Sequence, residues 1–126
     1  MKTHYDTLGG EVAVRRLVDS FYDLMDETPE FHAVRKLHPA DLGGSRQKLF
    51  MFLSGWLGGP QLYVERFGHP QLRARHLPFA ITSVERDQWM ACMRQTMADT
   101  NVNPSLQEAL IGAFFQTADF MRNTAD

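Results

Sequence analysis

Between Gly58 and Ile81 the chain reads GGPQLYVERFGHPQLRARHLPFAI. The apolar residues Leu62, Tyr63, Phe67, Leu72, Leu77, Phe79 and Ile81 follow neither the period of a helix nor the alternation of a strand. Gly58-Gly59-Pro60, Gly68-His69-Pro70 and Leu77-Pro78 cut the stretch into short pieces. Proline cannot continue a helix, and glycine takes backbone angles that other residues avoid. The segment therefore reads as short helices joined by loop. His76 stands out in it, with Arg73 and Arg75 before it and Leu77-Pro78-Phe79 after it. A histidine there either packs at a helix end or offers its imidazole to a ligand, and the residues alone admit both.

On either side helical patterns dominate. Glu11 to Met25 puts Val14, Leu17, Val18, Phe21 and Met25 on one face, with Tyr22 at the edge of the stripe. Thr28-Pro29 reads as an N-cap followed by proline at the first helical position. The short helix after it carries Phe31, Val34 and Leu37. It ends at His38-Pro39, because the residue before a proline avoids the helical region. Ser45 to Leu57 repeats the pattern with Leu49, Phe52, Leu53 and Trp56. Thr82-x-x-Glu85 is a capping box opening a long helix with Trp89, Met93 and Met97 four apart. Asn103-Pro104 starts the last helix, with Leu106, Leu110, Phe114, Thr117 and Met121 in register and Ile111, Phe115 and Ala118 beside them. No stretch alternates long enough to be a strand. The expectation is a single all-α domain over residues 1–126, with four substantial helices and a loop-rich middle. Gly9-Gly10 and Gly58-Gly59 are expected to close helices at positive φ.

Composition narrows the functional classes. A length of 126 residues bounds the chain to about one domain. With 13 Lys+Arg against 15 Asp+Glu, the net charge of −2 argues against broad nucleic-acid binding. Cys92 stands alone, which excludes a disulfide framework and a CxxC zinc site. Its place beside Trp89 and Met93 predicts an inert, covered thiol. MKTHYDTLGG has no apolar core of a signal peptide, and no apolar run approaches the roughly 20 residues that span a bilayer. The expected compartment is the cytoplasm, with no membrane partner. The histidines lack zinc spacing, and HExxH, GxSxG, P-loop and GxGxxG motifs are absent. Yet nine Phe, seven Met, three Tyr, two Trp and five His are a heavy load of soft and aromatic groups for this length. Such a load either builds a dense core or wraps something apolar.

The order of these parts resembles the truncated haemoglobins, and among them the second group. The resemblance runs through Tyr5-Asp6-x-Leu8-Gly9-Gly10, Phe21-Tyr22 and Leu37-His38-Pro39-x-Asp41-Leu42. It continues in Phe52-Leu53-x-x-Trp56-Leu57-Gly58-Gly59-Pro60 and in Gly68-His69-Pro70-x-Leu72-Arg73-x-Arg75-His76-x-Pro78-Phe79. It closes with Glu85-Arg86-Asp87-x-Trp89-Met90-x-Cys92-Met93, and so covers nearly the whole chain. It implies a 2-on-2 helical sandwich around one haem b (iron protoporphyrin IX), with His76 as the proximal iron ligand. An axial histidine must be a neutral imidazole, and the haem propionates want cations. Arg75, Arg73 and Lys48 are the candidates for that pairing. On the distal side the resemblance assigns hydrogen-bond donation to Trp89 and Tyr22. It places His38 where the family has Tyr, Phe or His, Ser45 at the distal gate, and Leu49 one turn further along. Phe52, Tyr63, Leu72, Phe79, Ile81, Met93, Met97 and Phe115 become haem contacts, although periodicity alone would make most of them ordinary core. The stretch between Tyr22 and His38 is longer than in many relatives. It leads to the hypothesis that His38 or Tyr22 binds ferric iron when no external ligand is present.

The implied function is reversible binding of dioxygen and other small diatomic ligands. Oxygen delivery, sensing, nitric oxide dioxygenation and peroxide reduction all stay open within it. The enzymatic roles need a partner reductase, because the chain carries no flavin or nicotinamide motif. A haem-free helical interaction module using the same aromatic-rich surface is the alternative from a different class. Monomer and homodimer are both compatible with the sequence. If part of the core is cofactor, the chain without haem should be distinctly less stable.

Overall fold

A computed structural model of the chain describes residues 2–126. It is 71% helical, and the described residues contain no strand, as the all-α expectation requires. The helices are α1 (His4–Leu8), α2 (Gly10–Glu27), α3 (His32–Arg35), α4 (Gly43–Trp56), α5 (Leu62–Phe67), α6 (Leu72–His76), α7 (Ser83–Asp99) and α8 (Pro104–Phe120). A single 3-10 turn, Pro29–Phe31, leads into α3. The four long helices are the four that the periodicity marks. α2 packs against both α4 and α7, and α7 packs against α8. Two helix pairs, α2 with α4 and α7 with α8, thus lie against each other. Short α5 and α6 occupy the middle of the chain.

The shared core follows from the apolar stripes. α2 buries Val14, Leu17, Val18, Phe21, Tyr22 and Met25. Against them lie Phe50 and Leu53 of α4, Met90, Cys92, Met93 and Met97 of α7, and Leu106, Leu110 and Phe114 of α8. Tyr22 is no edge residue: it keeps only 5% of its surface exposed.

Helix ends largely follow the expected chemistry. Thr82 accepts from the Val84 N–H, while the Glu85 carboxylate accepts from the Thr82 N–H at 2.7 Å and from its hydroxyl at 2.7 Å. The Asn103 side chain accepts from the N–H groups of Ser105 and Leu106. Thr28 sits at the N-cap position, but its side chain makes no capping bond. Two further features differ from the sequence reading. The first is α1, an extra helix opened by a Thr3/Asp6 capping box. The second is Gly59. Gly58 has the expected positive φ of 96°, but Gly59 does not; a Cβ there would fall inside the Tyr5 ring. Gly59 is needed for space, because α1 lies on the turn after α4. The Tyr5 N–H donates to the Leu57 carbonyl at 2.9 Å, and the Ser54 hydroxyl closes the turn on Pro60 O at 2.7 Å. Among the described residues no helix is long and apolar enough to cross a membrane.

Candidate functional site

His76 is the last residue of α6. This helix begins abruptly at Gln71, which takes left-handed angles at φ 46° after Gly68 at φ 78°. Arg75 Nε anchors the start of α6 by donating to Pro70 O at 2.9 Å. The ring Nδ1 of His76 lies 2.6 Å from the Leu72 carbonyl. A carbonyl only accepts, so Nδ1 carries the proton and the Nε2 lone pair is free to bind a metal. Such orientation of a ligating imidazole through its other nitrogen is the usual way a metal site holds its histidine.

The loop after His76 is held by residues that no sequence pattern pointed to. Asn123 Nδ2 donates to the carbonyls of His76 (3.1 Å) and Phe79 (2.8 Å), and its Oδ1 accepts from the Ile81 N–H (3.0 Å). The Asn123 N–H returns a bond to Ile81 O at 3.0 Å. Ser83 gives its N–H and hydroxyl to Asp126. Their partners lie more than forty positions away, so local spacing carries no signal for them.

On the other side, Tyr22, Phe21, Trp89 and Phe114 form an aromatic chain. Ring centroids are 5.1 Å apart for Tyr22–Phe21, 5.1 Å for Phe21–Trp89 and 5.5 Å for Trp89–Phe114. Trp56 stacks on Phe114 at 4.6 Å. These contacts use the ring faces and edges. Among the described residues no hydrogen bond within the chain uses the Tyr22 hydroxyl or the Trp89 indole N–H. Burial, with a smaller push from Cys92 and a smaller pull from Arg46, holds the Tyr22 phenol above its ordinary range, so it stays protonated as a donor. Arg46 reaches from α4 to α2, donating to Asp23 at 2.6 Å and to Asp19 at 3.4 Å, with its guanidinium 6.0 Å from the Tyr22 ring. The Asp19/Asp23 pair, four apart on α2, is the sequence signal for this clamp.

His38 follows α3 and meets Tyr22 edge-on, with centroids 5.7 Å apart. Its Nδ1 lies 3.0 Å from the Val34 carbonyl, so this ring too turns an Nε2 lone pair outward when neutral. Burial first, then the charge of Arg35, outweighs the raising effect of its backbone bonds and holds its pKa below the ordinary value. The neutral form therefore presents an acceptor at Nε2, and a donor only once protonated. Gln88 of α7 supports this position by accepting from the Val34 N–H at 3.0 Å. Arg35 ties the next residues by donating to Pro39 O and Ala40 O, each at 3.0 Å.

The remaining candidates distribute unevenly. Ser45, Leu49 and Phe52 are half-buried along α4, and Lys48 is exposed there. Tyr63, Ile81, Met93 and Met97 are buried, and Leu72 is half-buried. Phe79 is 42% exposed in the loop after α6. Phe115 is 40% exposed and turns to Arg86, whose guanidinium lies 5.1 Å from its ring. Arg75 is exposed, with its guanidinium 5.9 Å from the Tyr63 ring. Cys92 is fully buried, with Sγ 3.3 Å from the Phe21 carbonyl; burial pushes its pKa up to about 12 despite a lowering bond from Thr96.

A free Nε2 on an oriented imidazole, in a sandwich of two helix pairs with an aromatic interior, fits a haem-binding globin. The chain belongs to the bacterial-like globins, whose family model matches residues 3–123, and within them to the group II truncated haemoglobins. Group 2 truncated hemoglobin YjbI of Bacillus subtilis is 38% identical over 122 residues, covering 97% of this chain and 89% of that protein. The structure of the cold-adapted truncated hemoglobin of the Antarctic marine bacterium Pseudoalteromonas haloplanktis superposes with a TM-score of 0.94 at 46% identity, covering 98% of this chain and 99% of that one. The group II 2-on-2 hemoglobin of Agrobacterium tumefaciens superposes with a TM-score of 0.95 at 43% identity, covering 100% and 97%.

Proposed function

We propose that this haem globin binds dioxygen and other small diatomic ligands reversibly at an iron held by His76, with Tyr22 and Trp89 as hydrogen-bond donors to the ligand. The observation that carries the reading is the bond from His76 Nδ1 to Leu72 O, which commits one ring nitrogen and frees the other. When bound, haem supplies a ferrous iron that takes up such ligands and pushes negative charge onto their far end. Tyr22 and Trp89 would offer their uncommitted donors to that charge from an aromatic setting, where hydrogen bonds gain strength. They would thereby stabilise the ligated state. Phe21 keeps the two donor rings apart and in place, since it touches both.

His38 has a different task in this reading. Its neutral Nε2 accepts rather than donates, so it would orient the Tyr22 hydroxyl or would bind ferric iron when no external ligand is there. Ser45 is short and leaves the gate side of α4 open. Phe52, Tyr63, Leu72, Phe79, Ile81, Met93, Met97 and Phe115 are the proposed cofactor contacts, and Arg75 and Lys48 the propionate cations.

Absorption spectra of the ferric, ferrous and oxygenated forms test this function. A Soret band that is lost in His76→Ala and shifts reversibly with oxygen supports it. A colourless protein that resists haem reconstitution refutes it and favours the helical interaction module.

A further inference from the structure

We propose that Asn123 is a positioning residue for His76, holding the proximal imidazole in register from behind. The inference rests on the haem-globin reading above. α6 has five residues and carries no buried side chain. A helix this short does not fix its own last residue, because its few backbone bonds leave most end groups unpaired. The bond from Nδ1 to Leu72 O sets the ring's rotation relative to α6, but it does not set where α6 stands.

That second constraint comes from Asn123, just past the end of α8. Its amide is fully used. Nδ2 bridges the carbonyls of His76 and Phe79, and Oδ1 holds the Ile81 N–H. Three points of the loop from 76 to 81 are thereby tied to one planar group. Ile81 O also accepts the N–H groups of Asn123 and Thr124. Asp126 pins the next residue but one, Ser83, through two further bonds. α8 itself is anchored to α7, for Arg86 pairs with Asp119 at 2.7 Å. The His76 backbone is therefore referenced to the α7/α8 pair through one side chain. The chemistry asks for an amide: the two carbonyls need two donors and the N–H needs an acceptor, and no other side chain of that size offers two donors together with an acceptor.

The test uses the haem-loaded protein and the variants Asn123→Ala, Asn123→Asp and, as control, Arg122→Ala. Aspartate keeps the shape and the acceptor but sets a carboxylate against two carbonyls. Resonance Raman of the ferrous unligated form reads the iron–histidine stretch. Transfer of haem to excess apomyoglobin reads retention. Both Asn123 variants are expected to broaden or shift the stretch and to release haem at least about tenfold faster, with Arg122→Ala like wild type in both. The Ile81 amide of the apoprotein, followed by hydrogen exchange, should lose protection in Asn123→Ala. Asn123 variants that melt earlier but keep the wild-type stretch and release rate overturn the inference, leaving a structural strap only. Wild type that takes up no haem overturns the underlying haem-globin reading as well.

Discussion

Replacing Tyr22 by phenylalanine removes one oxygen atom from the site and leaves the ring. The ring is 5% exposed and packed against Phe21 and His38, so the substitution preserves its contacts. No hydrogen bond within the described residues is broken, and a desolvated hydroxyl is exchanged for hydrogen. Stability of the haem-free chain should therefore stay within about 1 kcal/mol of wild type. On the proposed reading, that donor would face a partly charged acceptor in the oxygenated protein. A bond of that type is worth about 1.5–3 kcal/mol. Each 1.4 kcal/mol is about tenfold, so oxygen should leave about tenfold to about a hundredfold faster. The assay is stopped-flow displacement of oxygen by excess carbon monoxide. Carbon monoxide carries little charge when bound, so its own dissociation should change far less. An unchanged oxygen off-rate refutes the placement of the hydroxyl at the ligand. Equal acceleration for both ligands refutes the electrostatic argument and makes the effect steric.

Other outcomes follow from the same geometry. Trp89→Phe keeps an aromatic ring between Phe21 and Phe114 but deletes the N–H, and should also speed oxygen dissociation in stopped flow. Thr82→Ala removes the cap of α7 and should cost about 1 kcal/mol, read as a lower Tm. Burial raises the Glu85 pKa, but its bonds from Thr82 outweigh that and hold the carboxyl below the usual carboxylate range. Its contribution is thus present above the unfolded pKa and lost as pH falls through the lower folded value; Thr82→Ala should flatten that acid loss in melts taken between about pH 6 and 3. Cys92, pushed up to about 12 by burial, should not react with a disulfide reagent at pH 8 until denaturant is added. Extracting haem should lower the melting temperature, because a ligand bound only by the native state stabilises it; equal melting of apo and holo forms would contradict a cofactor-filled core.

The long helices were legible because their signals are local. The stripes of α2, α4 and α8 repeat within a few turns, and Thr82-x-x-Glu85 and Asn103-Pro104 act on their own neighbours. α1 was missed because its five residues are too few to carry a stripe, with only Tyr5 and Leu8 turned partly to the core. Gly59 was misread because its reason is a ring fifty-four positions earlier, at Tyr5, which no turn rule contains. The site divides along the same line. The residue types and order of Tyr22, His38, His76 and Trp89 could be read. The imidazole proton positions could not, since they depend on which carbonyl each Nδ1 meets. That choice makes the outward Nε2 of neutral His38 an acceptor. Asn123 was invisible for another reason: an asparagine past a helix end is ordinary until the loop it holds is folded beside it.

The two histidines are mounted differently. The loop beyond His76 is riveted to the α7/α8 pair at several points, whereas α3, just ahead of His38, is joined to α7 among the described residues by a single side-chain bond, from the Val34 N–H to Gln88. On the proposed reading, substitutions around α3 should retune which small molecule is held, and how long, more than they loosen the grip on the cofactor. A designer seeking a new ligand preference should begin at Gln88 and the residues around it.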